Sequence, residues 1–157
     1  MSKKPETTEF ATSAYFQKFL KEAIDEQDLT KVQFAKAAGV GSGVIIRATL
    51  YQCVPSIKSL VKLADYLHVP IMYMFGKTDE RYFEPAREPS NFFVRLEQLT
   101  VEKGVKYSAL AHSMSFASNA VYEWIRTKTL PSLDYLLELS EYFDVSVDYL
   151  LGRTDDR

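Results

Sequence analysis

The chain has 157 residues, of which 46% are hydrophobic and 25% charged, and its formal net charge is −2. These values lie near globular averages and argue against a disordered, fibrous or strongly polycationic chain. No apolar run reaches the roughly 18–20 residues needed to span a bilayer. The segment Met1–Glu6 lacks a following apolar stretch, so we expect no signal peptide. Cys53 has no second cysteine to pair with, and with His68 and His112 alone we expect no zinc site.

The chain repeats itself. When the sequence is shifted by 76 positions, residues 16–79 align with residues 92–155 without a gap. Identical pairs include Leu20/Leu96, Ala35/Ala111, Ser42/Ser118, Pro55/Pro131, Leu63/Leu139 and Gly76/Gly152. Two copies are too few for a solenoid, so each copy must bury its own core. We therefore predict two domains, residues 10–79 and 90–157, and a linker of charged residues and two prolines over 80–89.

The first copy begins with two helices. Phe16, Leu20 and Ile24 recur at helical spacing and predict an amphipathic first helix. Thr30-Lys-Val-Gln33 is a capping box, in which the Thr30 side chain accepts from the Gln33 amide and the Gln33 side chain reaches back. This box starts a second helix, and Gly39 suits the left-handed turn that ends it.

Three further segments complete the first copy. A third helix is predicted over about Ser42–Tyr51. Pro55-Ser56 starts a fourth helix, whose apolar stripe extends to Leu67. Val69-Pro70 opens a short fifth segment that ends at Gly76.

The second copy repeats this plan. Its helices are predicted near Ser90–Lys103, Tyr107–Met114, Ser118–Thr127, Ser132–Phe143 and Ser146–Leu151. Neither copy has a sustained period-two alternation or an Asn-Gly hairpin turn. The predicted fold class is therefore all-α, with two domains of about five short helices each.

Both copies resemble a known family, the Cro and lambda-repressor-like helix-turn-helix domains of the XRE family. The first copy carries the resemblance at Phe34-Ala35, Gly39-Val40, Ile45 and Pro55-Ser56. The second carries it at Leu110-Ala111, Phe116, Val121, Trp124, Lys128, Pro131-Ser132 and the ending over residues 142–155. The resemblance implies tandem helix-turn-helix domains in a repressor-like, sequence-specific regulator of transcription, of the kind found in phages and mobile elements.

The motif also has a physical logic of its own. Ala35 and Ala111 are small, so the second and third helices of each copy can approach closely. A tight turn at Gly39-Val40 sets these helices at a large angle. Ile45 and Val121 then bury the inner face of the third helix, which leaves its opposite face free to enter a major groove.

By resemblance, base contacts come from the third helix and added contacts from the start of the second. In the first copy these positions are Lys31, Ser42, Gly43, Ile46 and Arg47. In the second copy they are Tyr107, Ser118, Asn119, Tyr122 and Glu123. Arg47 could bond a guanine edge, Asn119 an adenine edge, and a glutamate can accept from cytosine.

Charge favours the first copy. Residues 16–79 carry 8 basic and 6 acidic residues, a net charge of +2, whereas residues 92–155 carry 6 and 9, a net charge of −3. Candidates for phosphate contact in the first copy are Lys31, Lys36, Arg47 and Lys58. In the second copy they are Lys106, Arg126 and Lys128. Contacts to phosphates supply most of the binding affinity, and contacts to base edges determine which DNA sequence is preferred.

Two functions stay open. The first is a duplex-DNA-binding regulator in the cytoplasm, nucleoid-associated when bound, with a homodimer presenting four units. The second is a helix-turn-helix module that binds a protein partner through one repeat, such as an antirepressor. The apolar Gly41–Ile46 stretch and the acidic second copy favour this alternative. We find no acid pair, nucleophile arrangement or phosphate-cradling loop, so we expect neither catalysis nor a cofactor.

Overall fold

A computed structural model of the protein describes residues 12–157, and its regular structure is helical. The predicted all-α class is therefore confirmed. These residues divide into two compact units, 12–83 (the N-terminal unit) and 84–157 (the C-terminal unit). Within the described range, β-structure is limited to an isolated bridge between Thr12 and Cys53.

Residues 1–11 lie outside the described part of the chain. They include the predicted start of the first domain at residue 10 and the segment Met1–Glu6. Among the described residues, no helix is both long and apolar enough to cross a bilayer. The same residues contain no cluster of three or more side chains suited to holding a metal ion.

The N-terminal unit is built from short helices. Its elements are α1 (Ala14–Glu26), α2 (Lys31–Ala38), α3 (Ser42–Tyr51), α4 (Ile57–Leu67) and a 3₁₀ turn (Ile71–Phe75). Ser13 begins α1 because its Oγ accepts from the Phe16 amide at 3.0 Å. Ser56 plays the same part for α4, where the Ser59 amide donates to its Oγ at 3.4 Å.

In the core of the N-terminal unit, the first helix packs against the 3₁₀ turn that is the unit's last element. The ring of Phe16 on α1 stacks on that of Phe75, with centroids 4.9 Å apart. The ring of Phe34 on α2 meets Tyr66 on α4 edge to face at 5.5 Å. Further side chains with no exposed surface fill the space between them: Leu20, Ile45, Leu60, Leu63, Ile71 and Met74. Burial of these apolar side chains holds the helices in place.

The C-terminal unit also has five segments in sequence, but a 3₁₀ turn is added after its second helix and its last segment is α-helical. Its elements are α5 (Phe92–Lys103), α6 (Tyr107–Leu110), a 3₁₀ turn (Ala111–Ser113), α7 (Ala120–Thr127), α8 (Leu133–Phe143) and α9 (Val147–Leu150). The predicted helix over Tyr107–Met114 is wrong in extent, since α6 gives way to the 3₁₀ turn after Leu110. The predicted start of the next helix at Ser118 is also wrong, since α7 begins at Ala120.

The short length of α6 has two physical causes, a missing side-chain cap at its start and a missing glycine in the turn that follows it. Lys106 precedes α6 and gives it no side-chain cap. Ser115 stands where the first copy has Gly39, and a residue other than glycine disfavours the left-handed turn that would end a longer helix. The Ser115 amide instead donates to Glu138 Oε1 on α8 at 2.9 Å, and the Ser115 hydroxyl donates to the same carboxylate.

The core of the C-terminal unit is rich in aromatic rings. Phe116 is buried and packs against Trp124 at 4.9 Å and Tyr135 at 5.4 Å. Trp124 also meets Phe92 at 6.3 Å. Its indole is half-buried and lies within this cluster, as expected for a core residue.

Candidate nucleic-acid interface

The α2–turn–α3 segment of the N-terminal unit is fixed by local contacts. The Gln33 amide donates to Thr30 Oγ1 at 3.1 Å, and the Thr30 amide donates to Gln33 Oε1 at 2.9 Å. The predicted capping box is therefore confirmed. Gly39 follows α2 with φ of +79°, a backbone angle that favours glycine. This turn lets the chain reverse within three residues and start α3 at Ser42.

Helix α3 has a buried face and an outward face. Ile45, Ala48 and Thr49 are buried, and the Thr49 hydroxyl donates to the Ile45 carbonyl at 2.8 Å. The outward face carries Arg47, which is exposed, and Leu50, which is 54% exposed. Its other positions are Ser42, exposed, and Gly43 and Ile46, both half-buried. Arg47 is therefore the cationic group that α3 presents to solvent.

Gly43 makes room for the side chain of Arg47. A Cβ atom at Gly43 would lie 3.1 Å from Nη1 of Arg47, so the guanidinium lies back over the first turn of α3. Gly41, the residue that caps this helix, offers no side-chain hydrogen bond. The first amides of α3 and the guanidinium thus lie at the same end of the helix, where the helix dipole favours an anion.

A shallow depression of about 200 Å³ connects α3 with the start of α4. Its lining includes Val44 and Arg47 from α3 and Ser56 and Ser59 from the beginning of α4. Lys58 is exposed in the first turn of that helix. Ser56 and Ser59 were not among the predicted contacts, although the Pro-Ser start of a helix was the available signal.

Four cations were predicted to face phosphate in this unit, and the structure does not place all of them together. Lys31 begins α2, whereas Lys36 lies five residues later and so points about 140° away around the helix. Within the described residues, no ion pair engages Lys31, Lys36, Arg47 or Lys58. These charges are therefore available to an external anion.

The corresponding surface of the C-terminal unit has a pair of tyrosines. The rings of Tyr107 and Tyr122 meet edge to face with centroids 5.9 Å apart, and Tyr122 is 51% exposed. Burial raises the pKa of the Tyr107 hydroxyl, and the nearby charge of Glu97 raises it further. The Tyr107 hydroxyl thus stays protonated at neutral pH and can donate as well as accept.

Two predicted base contacts of this unit are not on a helix. Ser118 and Asn119 are exposed but precede α7, and the Asn119 side chain makes no capping hydrogen bond. Their expected place at the start of the third helix is corrected accordingly. The early part of α7 carries Glu123, which stands at the repeat position of Arg47.

Two predicted cations of this unit, Arg126 and Lys128, already have partners. Arg126 Nη2 donates to Glu123 Oε2 at 2.6 Å. That hydrogen bond lowers the pKa of the Glu123 carboxyl and raises the pKa of the Arg126 guanidinium. The ammonium of Lys128 lies 5.2 Å from the centroid of the Phe93 ring. The two units therefore present different charges at equivalent positions.

Comparison with known proteins connects part of the chain to one regulator. No family model matches it. A 62-residue segment is 37% identical to YobD, an uncharacterized HTH-type transcriptional regulator of Bacillus subtilis (strain 168). The matched segment spans 40% of this chain and 55% of YobD, about half the length of that relative. The chain also aligns with a crystal structure of a transcriptional regulator from Listeria innocua.

That structural alignment is a loose one. It covers 73% of this chain and 90% of the other at 18% identity, with a TM-score of 0.36.

Proposed function

We propose that this chain is a transcriptional regulator that binds duplex DNA and places the outward face of α3 in the N-terminal unit against the major groove. The observation that carries the proposal is the exposed, unengaged guanidinium of Arg47 on that face among the described residues. Arginine can donate two hydrogen bonds to a guanine edge or to a phosphate. The match to an HTH-type transcriptional regulator supports the same assignment.

Neighbouring groups supply contacts to the phosphate backbone. Lys31 stands at the first position of α2 and Lys58 in the first turn of α4. Both positions combine a side-chain cation with helix amides that lack partners inside the helix. Cations at helix starts therefore provide affinity that depends on salt and does not depend on sequence.

Few side chains on this face can discriminate between base pairs. Ile46 and Leu50 flank Arg47 on the outward face and offer apolar contact to thymine methyl groups, while Arg47 offers donors to guanine. Gly43 has no side chain to contribute. We expect a site rich in A·T pairs in which a single guanine contact from Arg47 carries most of the discrimination.

A protein-binding role fits the C-terminal unit better. The exposed Tyr122 ring and its partner Tyr107 give this surface aromatic area, and the Glu123 carboxylate on the same helix as Tyr122 is paired with Arg126. Tyrosine is enriched in protein interfaces, and an arginine already paired with a carboxylate is less available to phosphate. The Gly41–Ile46 stretch, which favoured a protein partner for the N-terminal unit, has Val44 and Ile46 half-buried and so presents no extended apolar patch.

The experiment is a titration of the full chain against fluorescent duplexes of genomic and random sequence over a salt series. We expect measurable binding at about 50 mM salt. The logarithm of the binding constant should fall linearly with the logarithm of the salt concentration, with a slope of about −3 for three to four phosphate contacts. Selection from the random pool should enrich A·T-rich sites. If no duplex binds at low salt, the proposed function is wrong, because even non-specific affinity is measurable there.

A further inference from the structure

A groove with aromatic walls lies on the N-terminal unit, between α1 and the C-terminal end of α4. Its volume is about 300 Å³, within the range of ligand sites. The residues that define it are Tyr15, Phe19, Glu22, Glu26, Tyr66 and Tyr73. The Phe19 and Tyr73 rings meet edge to face at 5.8 Å, and the Tyr66 hydroxyl donates to Gln27 Oε1. The walls are thus held by contacts within the unit.

This groove is separate from the candidate DNA surface. Gln17 on α1 donates from Nε2 to the Thr49 carbonyl of α3 at 2.7 Å, so that side of α1 faces α3. Glu22 lies about 140° and Glu26 about 180° around the helix from Gln17. The carboxylates that border the groove therefore point away from α3.

The groove has the chemistry of a cation site. Aromatic faces attract a cation through the ring quadrupole, and carboxylates pair with it. Glu22 and Glu26 are exposed, and within residues 12–157 neither has an ion-pair partner. The chain itself already places one cation there, because the Arg81 guanidinium lies 5.7 Å from the centroid of the Tyr73 ring. Among the described residues, no cation is ion-paired with the two carboxylates that line the groove, Glu22 and Glu26.

We propose that this groove binds a basic segment of a protein partner, with arginine side chains seated against the aromatic wall and paired with Glu22 and Glu26. The open carboxylates supply the charge complementarity and exclude a nucleic-acid or phosphate ligand. Arg81 occupies part of the wall in the free protein and is displaced when the segment binds. Because the groove and α3 lie on opposite sides of α1, the segment and DNA bind independently.

The test uses the full chain and an acetylated, amidated Gly-Arg-Gly-Arg-Gly peptide, with the citrulline peptide of the same length as the neutral comparison. We expect saturable binding of the arginine peptide with a Kd on the order of 1 mM at low salt. The double variant Glu22→Gln/Glu26→Gln should weaken binding about tenfold. The control Asp25→Asn/Asp28→Asn removes the same charge outside the groove lining, and should change affinity less than about twofold.

A third variant should change peptide affinity in the opposite direction. Arg81→Ala removes the internal competitor and should strengthen peptide binding about threefold, an effect that a merely structural role would not produce. Arg47→Ala should leave peptide affinity unchanged whatever it does to DNA binding. Circular dichroism verifies that each variant is folded.

Four results would overturn the proposal. They are equal binding of the citrulline peptide, equal weakening in both double variants, and no saturation with the arginine peptide at low salt. The fourth is a change of oligomeric state in Glu22→Gln/Glu26→Gln by sedimentation, because the occupant would then be a second copy of the chain.

Discussion

The helix before the turn has eight residues in the N-terminal unit and four in the C-terminal unit, although the two segments occupy equivalent places in the repeat. The first ends at Gly39 with a left-handed backbone, and the second passes into a 3₁₀ turn and needs Glu138 to hold the Ser115 amide. With Gly39 the turn forms through local backbone geometry, whereas with Ser115 at this position the turn is hydrogen-bonded to the distant side chain of Glu138. The two copies thus share most of their core pattern but not the glycine of the turn.

The exposed faces of α3 and α7 also differ, in the charge that they carry. Arg47 has no ion pair within the described residues, whereas its repeat counterpart Glu123 holds Arg126. Among residues 12–157, the N-terminal unit therefore has an unpaired cation where the C-terminal unit has an internal ion pair. At this repeat position the N-terminal unit thus offers a cation to phosphate, whereas the carboxylate of the C-terminal unit is already paired with Arg126.

The largest expected effect concerns two equivalent glycines. A Cβ at Gly152 would lie 2.3 Å from the backbone carbon of Ser90, whereas the atoms nearest to one at Gly76 belong to the movable ring of Tyr15, at 2.6 Å. Gly152→Ala should cost about 3 kcal/mol or more and Gly76→Ala about 1–2 kcal/mol, the cost of a positive φ. Hydrogen exchange resolved by unit measures both. Equal costs would contradict the close packing at Gly152.

The next effect tests the turn of the C-terminal unit. Glu138→Ala removes both hydrogen bonds to Ser115 and should cost about 1–2 kcal/mol. Lys62 stands at the repeat position of Glu138 and is exposed, so Lys62→Ala should change stability by less than about 0.5 kcal/mol. Urea unfolding followed by the fluorescence of Trp124 reports on the C-terminal unit, and circular dichroism reports on both. A neutral Glu138→Ala would show that Glu138 does not hold the turn.

The smallest effect concerns the capping box. Thr30→Ala should cost about 1 kcal/mol in the N-terminal unit. The C-terminal unit has Lys106 and Ala109 at the equivalent positions, and Lys106→Thr/Ala109→Gln should stabilise it by about 0.5–1 kcal/mol. Urea midpoints and helix content measure both changes. If the grafted box left the C-terminal unit unchanged, the missing cap would not explain why α6 is short.

Local sequence signals predicted local structure well. The Thr30–Gln33 box and the left-handed Gly39 each depend on a few neighbouring residues, so the printed sequence was sufficient for both. The Glu123–Arg126 pair has the three-residue spacing of a helical ion pair and could have been predicted from that spacing.

Contacts between distant residues were not predictable in the same way. Ser115 and Glu138 lie 23 positions apart, and nothing in either neighbourhood indicates that one holds the other. The turn that Glu138 holds lies between the early end of α6 and the segment with Ser118 and Asn119. The groove escaped prediction for a similar reason, since its rings come from α1, α4 and the 3₁₀ turn.

The most direct test of the asymmetry compares Arg47→Ala with Arg126→Ala in DNA binding over a salt series. Each variant removes one arginine from the third helix of a unit. We predict that Arg47→Ala weakens binding about tenfold and reduces the salt slope by about 1, whereas Arg126→Ala changes neither beyond about twofold. An equal or larger loss with Arg126→Ala would contradict the assignment of DNA contact to the N-terminal unit.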